Sequence, residues 1–154
     1  MRGARFTPKG GFSSLYLAAD PVTALHEVVS VFTPTGGPTI TLRTSPWIVI
    51  TVEGVLSNII DLTNEGTQHS LGTNLMELTG DWAYTQSTMG RAPTQHLAKA
   101  AFDCGILGFQ YKSARNISGG HSVVVFTDHL ASHPPSYLEV FDEHRNLTQR
   151  LPIP

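Results

Sequence analysis

Residues 14–32 read SLYLAADPVTALHEVVSVF, a short strand passing into a helix. Ser14 to Ala18 is the strand, and Gly10-Gly11 is the turn that leads into it. Asp20 is a good helix N-cap, and Pro21 suits the first helical position because its φ is already set. Ala24, Leu25, Val28, Val29 and Phe32 then fall at helical spacing, and the run TPTGGP over 33–38 stops the helix.

Working outward, Thr39 to Arg43 and Trp47 to Val52 are rich in β-branched residues and read as strands, joined by Ser45-Pro46 as a hairpin or sheet corner. Ile59 to Thr63 is another short apolar segment, and Leu71 to Leu78 reads as a helix of about two turns. A further helix covers Pro93 to Asp103, with Leu97, Ala100, Ala101 and Cys104 on one face and Gly105 as its stop. Strands return at Ile106 to Tyr111, Ser122 to Thr127 and Tyr137 to Phe141. Helices and short strands without regular βαβ alternation predict an α+β fold with mixed and antiparallel sheets, not a doubly wound sheet. The 154 residues are expected to form one domain, 1–154.

Composition narrows the function. Ten Lys and Arg stand against 12 Asp and Glu, a net charge of −2 with neutral His, so the electrostatic footprint of a duplex-binding protein is missing. Charged residues make up only 14% of the chain and apolar residues 40%, with 14 Gly and 10 Pro, which predicts a real core under a loop-rich, polar-neutral surface. Apolar stretches such as Trp47 to Val52 are far too short to span a bilayer, and no secretory signal follows Arg2, Arg5 and Lys9. Cys104 is the one cysteine, so an internal disulfide is impossible and a reducing compartment is favoured; the expectation is a soluble cytoplasmic protein.

Seven histidines invite a metal reading, which their spacing does not support. His129 and His133 lie four apart, but Pro134-Pro135 follows directly and breaks any helix that would align them. His26-Glu27 lacks the second His of a zinc-protease helix, and one Cys cannot supply a thiolate cage. No metal site is expected. Neither a Walker sequence nor a strand followed by Gly-x-Gly-x-x-Gly is present, which removes the P-loop and dinucleotide-fold readings. On a helical wheel Glu27 sits at the margin of the apolar stripe and His26 on the opposite side. Glu27 is either a helix-surface glutamate, the plainer reading, or a carboxylate looking along the core edge into a cleft. Periodicity alone leaves Ser113-Ala114-Arg115 an ordinary polar loop and Arg5 an ordinary terminal charge.

A resemblance connects these positions. Gly3-Ala4-Arg5-Phe6-Thr7, Leu15-Tyr16-Leu17-Ala18 and Asp20-Pro21 with Ala24-Leu25-His26-Glu27-Val28 resemble the first half of a RES domain. Ile60-Asp61-Leu62-Thr63 is similar to that family's Asp-Leu stretch. Asp103-Cys104-Gly105-Ile106, Tyr111-Lys112-Ser113-Ala114-Arg115 and Gly120 to Phe126 are similar to its later block, so the likeness covers about residues 3–127 in order. The chain differs in having Ala4-Arg5 where Gly-Arg is usual and His121 where an Asn often follows the late glycine.

The resemblance implies an ADP-ribosyltransferase-like fold and a toxin of a bacterial toxin-antitoxin pair acting on NAD as its substrate. It implies Glu27 as the catalytic residue, with Arg5, Tyr16, Ser113 and His121 binding NAD. It implies a cognate antitoxin as partner and leaves homo-oligomerisation, and the choice among hydrolysis, phosphorolysis and ADP-ribosyl transfer, open. The alternative is a catalytically inactive nucleotide-binding or interaction module of the same fold. Chemistry supports these residue types. Breaking the nicotinamide–ribose bond releases a neutral base and leaves an oxocarbenium-like ribose, which a carboxylate stabilises. An arginine fork suits pyrophosphate, and a tyrosine offers an apolar body with a polar tip.

Overall fold

The strand and helix that open at Ser14 and Pro21 form where their signals stand. In a computed structural model that describes residues 3–31, 48–116, 118–142, 144 and 149–152, the side chains of 28–31 excepted, β1 spans Ser14–Ala18 and α1 spans Pro21–Val31. Asp20 caps α1: its Oδ1 accepts from Thr23 N at 2.8 Å and its Oδ2 from Thr23 Oγ1 at 2.6 Å. The expected stop at 33–38 and the strand at 39–43 lie outside the described residues.

The remaining elements follow in chain order: β2 Thr51–Val55, β3 Ile59–Asp61, α2 Glu65–Ser70, α3 Leu75–Thr79, α4 Trp82–Met89, α5 Pro93–Asp103, β4 Gly108–Lys112, β5 His121–Phe126, a 3-10 turn Thr127–Ser132, β6 Tyr137–Phe141 and β7 Arg150–Leu151. One sheet runs β1-β5-β4-β3, antiparallel except for the parallel β3–β4 pair, and a second runs β2-β6-β7, antiparallel throughout. This is the predicted α+β fold with mixed and antiparallel sheets.

Strand register divides the interior into two cores. Tyr16 stands opposite Val124, Val124 opposite Phe109, and Phe109 opposite Ile60, so one row of side chains crosses all four strands on one face. That face packs with Phe6, Leu62, Leu78, Ala98 and Ala101. The alternate positions, Leu15, Leu17, Val123 and Val125, meet Leu107, Leu130 and Leu138 and the second sheet. The four-stranded sheet therefore lies between helices and a smaller sheet, buried on both faces.

Several expectations are corrected. The Leu71–Leu78 segment is not one helix: α2 and α3 are separate, because Gly72 takes φ 68° and Asn74 starts a new helix by accepting from Glu77 N at 2.9 Å. The strand expected at 47–52 is displaced to Thr51–Val55, and Trp47 lies outside the described residues. In α1, Leu25 is exposed and Thr23 is the fully buried position. The face of α5 is rotated as well: Thr94, Gln95, Ala98 and Ala101 are buried, whereas Ala100 and Cys104 are exposed. Two polar side chains displace the expected apolar ones because the N-terminal segment needs hydrogen-bond partners there. Helix α4 was missed although Asp81 caps it and Gly90 ends it, since none of its residues is buried and no apolar stripe announces it. Strand β4 begins later than Ile106, whose N–H still bonds Ala101 O at 3.0 Å at the end of α5. Among the described residues, no helix is long and apolar enough to cross a membrane.

Candidate active site

The site is assembled at the end of the four-stranded sheet where β1 passes into α1 and β4 into its loop. Phe6 anchors the first contributing segment; it is fully buried, with its ring 5.4 Å from Phe109 and 4.8 Å from Tyr111 between centroids. Among the described residues the segment joins no strand ladder, and beyond its own Ala4–Thr7 backbone bonds side chains satisfy it: Thr94 Oγ1 donates to Arg5 O at 2.6 Å, Gln95 Nε2 to Ala4 O at 2.8 Å, and Phe6 N to Tyr16 Oη at 3.0 Å. These bonds explain the polar buried face of α5. They also hold Arg5 over the helical side of the sheet.

Arg5 Nη1 donates to Leu78 O at 2.7 Å and to Gly80 O at 2.9 Å, tying the N-terminal segment to the end of α3. Burial lowers the guanidinium pKa from its ordinary value, Tyr111, Glu27 and Tyr16 oppose that shift, and Arg115 adds to it. One carboxylate, two guanidiniums and two phenols thus share an electrostatic neighbourhood.

Glu27 lies one helical turn beyond Thr23, on the inward side of α1, whereas His26 is exposed. Ser113 Oγ donates to Glu27 Oε1 at 2.7 Å across 86 residues of sequence. The same Oγ accepts from Arg115 N at 3.1 Å and from Asn116 N at 3.0 Å, so one hydroxyl both builds the loop and holds the carboxylate. Ser113 N donates to Gly120 O at 2.8 Å, closing the loop between β4 and β5 at its base.

Tyr16 reaches back along β1: besides Phe6 N, its Oη shares a hydrogen bond with Thr7 Oγ1 at 3.0 Å. Burial raises its pKa, partly offset by the bonds from Thr7 and Phe6. Tyr111 is pushed up further, first by burial and then by Tyr16 and Glu27, with Arg5 opposing. Both phenols therefore stay neutral through the physiological range.

The structure brings Arg5, Tyr16, Glu27 and Ser113 to one neighbourhood and does not bring His121 there. Lys112 stands opposite His121 in the ladder, and both occupy positions alternate to Tyr111 and Ser122. On that other face His121 lies near Asp61, whose carboxyl pKa is held down first by hydrogen bonds from Thr63 and, more weakly, by His121. Sequence reasoning gave Tyr111 no role. The period of two through Phe109, Tyr111 and Ser113 is the signal that places the phenol beside the serine. The other histidine pair is structural: His129 Nε2 pairs with Phe102 O at 2.9 Å and His133 Nε2 with Gly105 O at 2.6 Å. Among the described residues, no three His, Cys, Asp or Glu side chains gather as a metal site would need.

The mixed and antiparallel sheets, with a helix-borne carboxylate bonded to the loop beside the sheet end, make an α+β fold, and the family that the sequence matches is of the ADP-ribosyltransferase-like class. The RES domain family model matches residues 1–148, and the chain belongs to that family. Its members are generally NAD-processing enzymes and typically pair with an antitoxin. A search of curated proteins gives no match.

Proposed function

We propose that this chain is the NAD-consuming toxin of a toxin-antitoxin pair, acting in the cytoplasm, and that it breaks the bond between nicotinamide and ribose. The observation that carries the reading is the 2.7 Å bond from Ser113 Oγ to Glu27 Oε1, within the field of Arg5. A structural surface glutamate needs no buried serine 86 residues away to orient it.

In this reading the C1′–N bond breaks with its electron pair leaving on nicotinamide, which departs neutral. The ribose becomes oxocarbenium-like, and the Glu27 carboxylate stabilises that positive charge or holds a ribose hydroxyl. Ser113 fixes the carboxylate instead of spending its hydroxyl on the ligand. Arg5 and Arg115 outnumber Glu27 in charge, which suits a pyrophosphate; Arg115 is exposed and carried by the Ser113 loop, while Arg5 has Nη1 committed to two carbonyls. Tyr16 and Tyr111 supply neutral phenols beside an apolar wall, and His121 has at most a peripheral part in binding, from the other face of the sheet.

The experiment is incubation of the purified protein with NAD and measurement of free nicotinamide. Release supports the enzyme. NAD binding without release selects the catalytically inactive module instead. Running the reaction with and without phosphate, and weighing the ribosyl product, distinguishes water, phosphate and a protein side chain as acceptor.

A further inference from the structure

A chain of hydrogen bonds runs from the start of α1 to its catalytic turn by way of the β4–β5 loop. Thr23 Oγ1 donates to Asp20 Oδ2 at 2.6 Å and accepts from Asn116 Nδ2 at 2.9 Å. Asn116 N donates to Ser113 Oγ, and Ser113 Oγ donates to Glu27 Oε1. Asn116 Oδ1 accepts from Ser118 N at 3.1 Å, so both ends of the amide are engaged. Thr23 is fully buried and Asn116 is 8% exposed, so water cannot replace these bonds cheaply.

Gly120 shows how closely the two parts meet. A Cβ built there would lie 2.2 Å from Thr23 Oγ1 and 2.4 Å from Asn116 Nδ2. The loop can dock on α1 only because this position has no side chain.

We propose that Thr23 and Asn116, with Gly120 giving them room, form a latch that sets the position of Glu27. The proposal rests on the nicotinamide-releasing reading given above. Thr23 and Glu27 are four apart on one helix face, so fixing Thr23 to the loop fixes the approach of Glu27 to Ser113, which the same loop carries. Thr23 and Asn116 are positioning residues: they reach Glu27 only through the helix and through Ser113.

The test uses Thr23→Val, which keeps the shape and removes the hydroxyl, and Thr23→Ser, which restores it. Thr23→Val lowers kcat by about tenfold to a hundredfold, as misplacement of a reacting group does, and leaves KM unchanged; Thr23→Ser recovers the rate. In a Glu27→Gln background Thr23→Val has no further effect on rate, because the latch acts only through that carboxylate. Asn116→Ala breaks the latch from the loop side and stands in should Thr23→Val fold poorly. Equal falls in both backgrounds, or no fall in the first, overturn the proposal. A second arm needs no turnover: with ¹³C-labelled glutamate, the Glu27 carboxyl resonance moves in Thr23→Val or Asn116→Ala toward its position in Ser113→Ala. An unmoved resonance overturns the latch. Wild-type protein that releases no nicotinamide overturns the enzymatic reading instead, and the resonance then decides the latch alone.

Discussion

At the scale of single residues, the carboxylate and the guanidinium do different work. Glu27→Gln keeps the size and a hydrogen-bond acceptor for Ser113 but removes the charge that the proposed reaction needs at its developing cation. Nicotinamide release falls about a hundredfold or more while thermal unfolding is nearly unchanged, and near wild-type turnover would remove Glu27 from catalysis. Arg5→Lys tests a structural debt. Lysine keeps the charge, but the guanidinium serves two carbonyls, Leu78 O and Gly80 O, from one planar nitrogen. A stability loss of about 1–3 kcal/mol is expected from the carbonyl left without its partner, read by denaturant unfolding. Unchanged stability together with a raised KM would assign Arg5 to the ligand alone. Arg5 was legible as a candidate through its motif, yet its commitment to the end of α3 was not, because the carbonyls lie 73 and 75 residues away.

At the scale of elements, α1 depends on the capping residue just before it. Hydrogen bonds from the Thr23 side chain and backbone hold the Asp20 carboxyl pKa below its ordinary value. Such a group contributes stability above the ordinary aspartate range, and that contribution is lost as pH falls through the lowered folded value. Asp20→Ala is therefore less stable than wild type at neutral pH, and the gap between their melting temperatures closes as pH drops below about 4. A gap that stays constant into acid would show that the charge has no part in the cap. The cap of α1 and the stop of α5 were readable because they depend on residues adjacent in sequence. The rotated face of α5 was not: Thr94 and Gln95 are buried only because Arg5 O and Ala4 O need donors.

At the scale of the whole molecule, the two cores separate stability from chemistry. The site sits on the helical side of the main sheet, whereas Leu138 of β6 lies in the core between the sheets with Leu107, Val125 and Leu130. Leu138→Ala leaves a cavity there and costs about 2–5 kcal/mol in unfolding free energy. Nicotinamide release measured well below the melting transition stays at the wild-type rate. A parallel loss of rate would mean that the second sheet supports the site directly.

The sequence by itself determined the β1–α1 start, the span of α5, the α+β class and four of the residues that meet at the site. Each rests on local spacing, capping chemistry or an ordered set of short motifs, all of which survive in a linear string. Only the tertiary structure decided that Ser113 holds Glu27, that Tyr111 and Arg115 join the cluster, that Thr23 and Asn116 bind the loop to the helix, and that His121 faces the other way. Those outcomes depend on strand register, where a shift of one residue moves a side chain to the opposite face of the sheet. Pairing partners tens of residues apart set that register, and no local pattern records it.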